Sequence, residues 1–238
     1  MLQLAIETSS VLPGAALADD GRLLGTWSSD QPRAHAAALV SSLQGLCDSH
    51  GVEPLQVRRL LVSIGPGSFT GLRIGVMIAR TMALAASRAG QKLDIVAVPS
   101  LDAIGWNALD LPDPPRFLAV ISDAKRGRVY GATLKHDGDQ YRTVTAACEI
   151  EPARLFDTCP QHCVVTGEGI ALHAESVANT GFDTLSDSLR RPRATSVLQL
   201  GAALAANNQF TAPRDLVPAY VRRPEAEERW EDRQTRSS

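Results

Sequence analysis

The run GPGSFTGLRIGVMIARTMALAAS, from Gly65 to Ser87, decides how the rest of the chain is read. It follows a short apolar strand, Leu60 to Ile64, and reads as a glycine-rich turn opening a long helix from about Leu72 to Ser87. Gly65, Gly67 and Gly71 invite comparison with phosphate loops, and the spacing rejects each one. A dinucleotide turn needs its third glycine where Thr70 stands and an acid ending the next strand, whereas Asp94 precedes that strand. A Walker loop needs Lys and then Ser or Thr after its last glycine, and Gly71 is followed by Leu72 and Arg73. Pro66 takes the first glycine position of a nucleophile elbow around Ser68.

Within the helix, Gly71, Gly75, Ala79, Ala83 and Ser87 recur every fourth place and therefore share one face. Glycine inside a helix costs up to ~1 kcal/mol relative to alanine, and close packing against a sheet offsets that cost. A second face carries Arg73, Met77, Arg80 and Leu84, with Phe69 in the turn before it. Methionine and arginine are both enriched at protein interfaces, so this face is the candidate partner surface.

Upstream, Leu2–Glu7, Gly14–Ala18 and Arg22–Trp27 read as strands of an antiparallel meander, with Pro13-Gly14 and Asp19-Asp20-Gly21 as turns. Ala36, Leu39, Val40, Leu43, Leu46 and Cys47 follow at helical spacing, with Gly51 placed to cap the helix. Downstream come a strand at Ile95–Val98 and a helix from Ser100 to about Leu109. The proline-dense LPDPP, 111–115, then leads to strands at Phe117–Ser122, Val129–Leu134 and Val164–Thr166, and Thr195–Asn207 is a last helix. The organisation expected is α/β, with a first lobe over 1–110 completed by 195–222, a second lobe over 111–194, and a charge-dense tail over 223–238 expected to be disordered.

At 238 residues and 44% hydrophobic, the chain has material for one good-sized core or two small ones. Twenty-four Lys and Arg against 26 Asp and Glu leave a net charge of −2, so no global field gathers a polyanion. Lys125, Arg126 and Arg128, and Arg190, Arg191 and Arg193, form short basic runs that read as solvated surface. The N-terminus reads as a strand and not a signal peptide, which points to the cytoplasm. The apolar stretch Leu72–Ala86 is shorter than the ~20 residues a bilayer requires, so no membrane is expected. Cys47, Cys148, Cys159 and Cys163 lack a CxxC pair and fit reduced thiols. Cys159, His162 and Cys163 fall short of a zinc ligand set, and no metal or cofactor is expected.

Taken together, GPGSFTGLRIG after a strand, the opening LAIETS, DAKRGRVYGA over 123–132, GEG over 167–169 and PAYVR over 218–222 resemble the TsaB family. The pieces run in the family's order from residue 2 to residue 222. The resemblance implies an actin/hexokinase/Hsp70-like (ASKHA) fold of two lobes, with mixed sheets flanked by helices. It implies a non-catalytic subunit in the synthesis of threonylcarbamoyladenosine, the modified base beside the anticodon of tRNAs that read codons beginning with A. Its implied partners are a metal-bearing TsaD-type catalytic homologue and a small TsaE-type ATPase, with a homodimer when alone and tRNA reached through the complex.

Glu7 stands where that family usually has Asp, Arg128 where Glu is common, and Ala36 and Ala37 replace a usual Ser-Glu after His35. The catalytic homologue holds its metal with two histidines one helical turn apart, and the matching helix offers His35 but Leu39. Glu7, Thr8 and Ser9 sit where actin-like ATPases approach phosphate and magnesium, and Asp123 where the second lobe offers another acid. They mark a vestigial nucleotide cleft or, equally, turns whose side chains cap backbone amides. The alternatives to a pairing subunit are an actin-like ATPase or small-molecule kinase, and last a peptidase, for which the motifs are missing.

Overall fold

The computed structural model describes residues 1–31, 36–219 and 221. His35, Tyr220, Arg222 and the charged tail lie outside the described residues. β1 (Leu2–Glu7), β2 (Gly14–Asp19) and β3 (Arg22–Ser28) form the expected antiparallel meander, and α1 (Ala36–Asp48) follows. α1 ends as expected at Gly51, whose φ of +66° closes the helix while Val52 N–H donates to Cys47 O at 3.0 Å. β4 (Arg59–Gly65) then pairs parallel with β1, and α2 (Phe69–Arg88) crosses over to β5 (Asp94–Pro99), parallel to β4. The first sheet is therefore mixed, in the order β3-β2-β1-β4-β5.

α3 (Ser100–Trp106) leads through a 3-10 turn to a second mixed sheet. It is built from β6 (Phe117–Lys125), β7 (Arg128–Asp137), β8 (Gln140–Ile150) and, beyond α4 (Pro152–Asp157), β9 (Val164–Thr166), in the order β8-β7-β6-β9. α5 (Ala174–Ala178) and α6 (Ala194–Ala206) complete the chain's helices among the described residues. β8, α4 and α5 were not expected from the sequence. α2 also begins at Phe69, three residues before the expected start, because Ser68 caps it: its Oγ accepts from Gly71 N at 3.2 Å.

Period-two alternation along the strands explains the layering. Leu4, Ile6, Leu17, Leu60 and Val62 turn to one face of the first sheet and join the core cluster beneath α1 and α2. Ala5, Ala16, Leu61, Val96 and Val98 turn to the other, where Val197 and Leu198 of α6 and Leu101 and Ile104 of α3 meet Leu118, Val120 and Leu134 of the second sheet. One continuous apolar layer therefore joins the two sheets. Trp106 and Asn107 reinforce it, donating to Tyr141 O at 3.2 Å and to Leu189 O at 2.8 Å.

With 20 residues, α2 is long and apolar enough by composition to cross a bilayer. Its small-residue face instead lies on the sheet, with Gly75, Ala79 and Ala83 buried, as a core helix does.

Candidate functional site

Three places carry the candidate residues: the turn leaving β1, the β6–β7 hairpin with Asp123, and the outer face of α2. Glu7, at the end of β1, is 1% exposed. Its Oε1 accepts from Ser9 Oγ at 2.6 Å and from Ser10 N at 3.2 Å, so the carboxylate caps its own turn. Burial pushes its pKa up, against the opposing bonds from Ser9, Ser63 and Ser10. Thr8 N–H donates to Ser63 Oγ at 3.0 Å, and Ser9 O accepts from Ser68 N at 2.7 Å, fastening this turn to the entry of α2. The fit there is tight. A Cβ on Gly71 would lie 2.1 Å from Thr8 O, which accounts for a glycine at the start of the stripe.

Asp123 bonds to its own hairpin, accepting from Lys125 Nζ at 2.7 Å and Lys125 N at 3.0 Å, with His173 Nε2 at 3.8 Å. Partial burial works to raise the Asp123 pKa, but Lys125 and His173 outweigh it and leave it below the ordinary value. Apart from the Ser63 hydroxyl on β4, the hydrogen bonds of Glu7 and Asp123 are thus local to their turns. The side chains joining the two sheets near this turn are others. Ser10 Oγ donates to Glu168 Oε1 at 2.9 Å, and Arg191 Nε stands 3.5 Å from the same oxygen. Glu168 is raised by burial, with Ser10 and Arg191 pulling the other way. In sequence Arg191 belongs to a basic run that reads as solvated surface, and Glu168 stands in the GEG segment over 167–169. With Ser10 and Glu168 separated by 158 positions in sequence, only the fold brings them together. Among the described residues no three His, Cys, Asp or Glu side chains assemble as a metal-ligating set.

The outer face of α2 is apolar and open, with Phe69 42%, Met77 62% and Leu84 53% exposed. Arg73 sits over the Phe69 ring, its guanidinium carbon 3.7 Å from the centroid. Arg80 serves the chain itself, donating to Pro213 O at 2.9 Å and Arg214 O at 2.7 Å. Between α1 and α2 runs a groove of about 620 Å³, lined by Val40, Leu43, Phe69, Arg73, Met77 and Ile78 among others. Val40 and Leu43 of α1 thus extend the surface beyond the residues α2 supplies. Leu84 stands outside the groove, by a shallow hollow shared with Thr81 and Arg88.

The family model described as "TsaD: tRNA N6-adenosine threonylcarbamoyltransferase" matches residues 25–230. A Bacillus subtilis protein named tRNA threonylcarbamoyladenosine biosynthesis protein TsaB is 26% identical over 97% of this chain and 98% of its own length. The Haemophilus influenzae protein of the same name is 30% identical over 80% of each. The solved structure of YeaZ from Pseudomonas aeruginosa shares the fold, with a TM-score of 0.78 over 92% of this chain and 99% of that one, at 23% identity. The two mixed sheets flanked by helices are the α/β arrangement that the sequence resemblance implied. With the Haemophilus influenzae TsaB protein 30% identical over 80% of each chain and the Bacillus subtilis one aligned along 97% of this chain, the chain belongs to the TsaB family.

Proposed function

We propose that this protein is a non-catalytic, cytoplasmic subunit of tRNA threonylcarbamoyladenosine synthesis, pairing with a TsaD-type catalytic homologue through α2 and the α1–α2 groove. The observation that carries this reading is the open apolar stripe of Phe69 and Met77 beside Val40, on a helix whose other face is buried in the core. Exposed apolar surface of this kind, rimmed by polar side chains, marks association sites on soluble proteins. Identical or related copies of a fold compete for one self-complementary surface, so the free chain pairs with itself through the same face. The TsaE-type ATPase joins the assembled pair, and tRNA is reached through the complex.

Support for a subunit without chemistry of its own comes from the β1 turn. The Glu7 carboxyl is held through Oε1 by Ser9 and Ser10 in a buried setting, and Asp123 by Lys125, so each acid caps a turn of its own backbone. Reconstitution tests the reading. The chain alone is expected to leave tRNA unmodified and ATP intact, and to co-purify with the TsaD-type homologue from its own cell lysate and support threonylcarbamoylation with it. Modification of tRNA by the isolated chain, or an active homologue complex from which it is absent, contradicts the proposal.

A further inference from the structure

After α6 the chain runs along the flank of α2. Arg80 holds the carbonyls of Pro213 and Arg214, Leu216 joins the core cluster of Val76 and Ala79, and Ala219 N–H donates to Ile64 O at 2.7 Å. A Cβ on Gly65 would meet Leu72 Cδ1 at 2.8 Å and Ala219 O at 3.3 Å, so Ala219 lies beside the first turn of α2. The segment therefore travels from the middle of the helix to its N-terminal end, where Phe69, Thr70 and Arg73 line the groove against α1.

Residues 222–238 continue from this point and lie outside the described residues. Their one large apolar side chain is Trp230, set in EAEERWED over 225–232, where five acids stand against the single Arg229. The groove is the electrostatic complement of that stretch. α2 carries Arg73, Arg80 and Arg88 with no Asp or Glu, and α1 carries no charge before Asp48. Carbonyls hold Arg80 without neutralising it. Trp230 stands nine residues beyond Val221. Nine residues of extended chain reach about 30 Å, which is about the length of the 20-residue α2.

We propose that in the single chain residues 225–232 lie in the groove between α1 and α2, with the Trp230 ring on its apolar wall and the acids facing the arginines of α2. Tryptophan suits this place because it buries a large apolar area at little cost in side-chain freedom. A segment held by a short link acts at an effective concentration on the order of millimolar, so contacts too weak to retain a free peptide retain this one. The tail thereby covers the stripe of Val40, Phe69 and Met77 from within the same molecule. Its consequence for assembly rests on the pairing proposed above: a partner that buries this face displaces the tail, which is thus an internal competitor for it.

Acrylamide quenching of tryptophan fluorescence tests the docking in the full chain, at dilutions where sedimentation shows monomer. Trp27 and Trp106 also emit, so the Trp230 signal is the difference between wild type and Trp230→Phe. That signal is expected to be blue-shifted and several-fold less quenched than in a synthetic peptide of residues 222–238. In Val40→Glu, which sets a carboxylate in the groove at a position already 53% exposed, it is expected to match the peptide. A wild-type signal as accessible as the peptide's overturns the proposal. Protection lost on further dilution places the tail in a second copy's groove, and protection kept in Val40→Glu places it elsewhere on the molecule; either result overturns it too. Competition is read separately, by sedimentation of a chain ending at Arg223. This chain is expected to pair several-fold more tightly than the full one, with itself and with the TsaD-type homologue, and equal or weaker pairing overturns the tail's role as competitor. Full and truncated chains that both fail to pair contradict the proposed function instead, and the quenching result still decides the docking.

Discussion

A Cβ placed on Gly75 would stand 2.4 Å from Thr8 Oγ1, so the long helix meets the exit of the first strand where no side chain fits. Gly71 repeats the contact one turn earlier against the Thr8 carbonyl, which is backbone and has little freedom to move. Gly71→Ala is therefore expected to cost about 1–3 kcal/mol in urea unfolding, and Gly75→Leu more, since each forces α2 off the sheet. Unchanged unfolding midpoints for both would mean that α2 does not pack as described.

The Ser10–Glu168 bond gives a separate expectation, because it joins the first sheet's turn to the second. Ser10→Ala is expected to cost about 1 kcal/mol, the usual net value of one hydrogen bond, and to raise the Glu168 pKa further by removing a bond that now lowers it. Carboxyl NMR titration reads the second effect directly.

The sign of the pH dependence follows from the same residue. Burial raises folded Glu168 above its ordinary value of 4.5, so the folded state holds that proton more tightly than the unfolded chain. Its contribution to stability is intact below 4.5 and declines as pH rises through the folded value. Glu168→Gln removes that decline, so the variant is expected to gain stability relative to wild type as pH rises across this window. Parallel curves of stability against pH for the two proteins would contradict the assignment.

Arg80 separates folding from pairing. Its two donors hold the carbonyls of Pro213 and Arg214, so Arg80→Ala is expected to lower the melting temperature by a few degrees, on the order of 1 kcal/mol. Association is expected to persist. Loss of association at unchanged stability would place Arg80 in the interface after all.

Much of this was legible in the sequence, and the reasons differ by element. The meander and the α2 stripe announce themselves because buried strands alternate and a packed helix repeats every fourth residue. β8 does not, since it runs along a sheet edge with Thr143, Val144 and Thr145 all exposed and so carries no alternation. α4 and α5, with six and five residues, are too short to show a helical period. The Ser68 cap was hidden because Gly71 stands where a capping box would place Glu or Gln. Of the candidate partner face, Met77 is exposed as the helical spacing indicates, and Phe69, read as part of the preceding turn, is exposed in the first turn of α2. The engagement of Arg80 by the C-terminal segment depends on a contact across 133 residues that no local pattern encodes.

The proposed pairing sets the outer face of α2 against the homologous partner and, when the protein is alone, against a second copy of itself. Met77→Glu places a carboxylate in the middle of that face, where association would bury it unpaired at a cost of several kcal/mol. Met77 is exposed in the single chain, so the monomer's fold is expected to be untouched, which circular dichroism checks. Sedimentation velocity of the variant, alone and mixed with the TsaD-type homologue, is the most direct measurement. The expected result is a folded monomer that pairs with neither. A variant that still forms its homodimer and still binds the homologue contradicts the claim and places the interface elsewhere on the molecule.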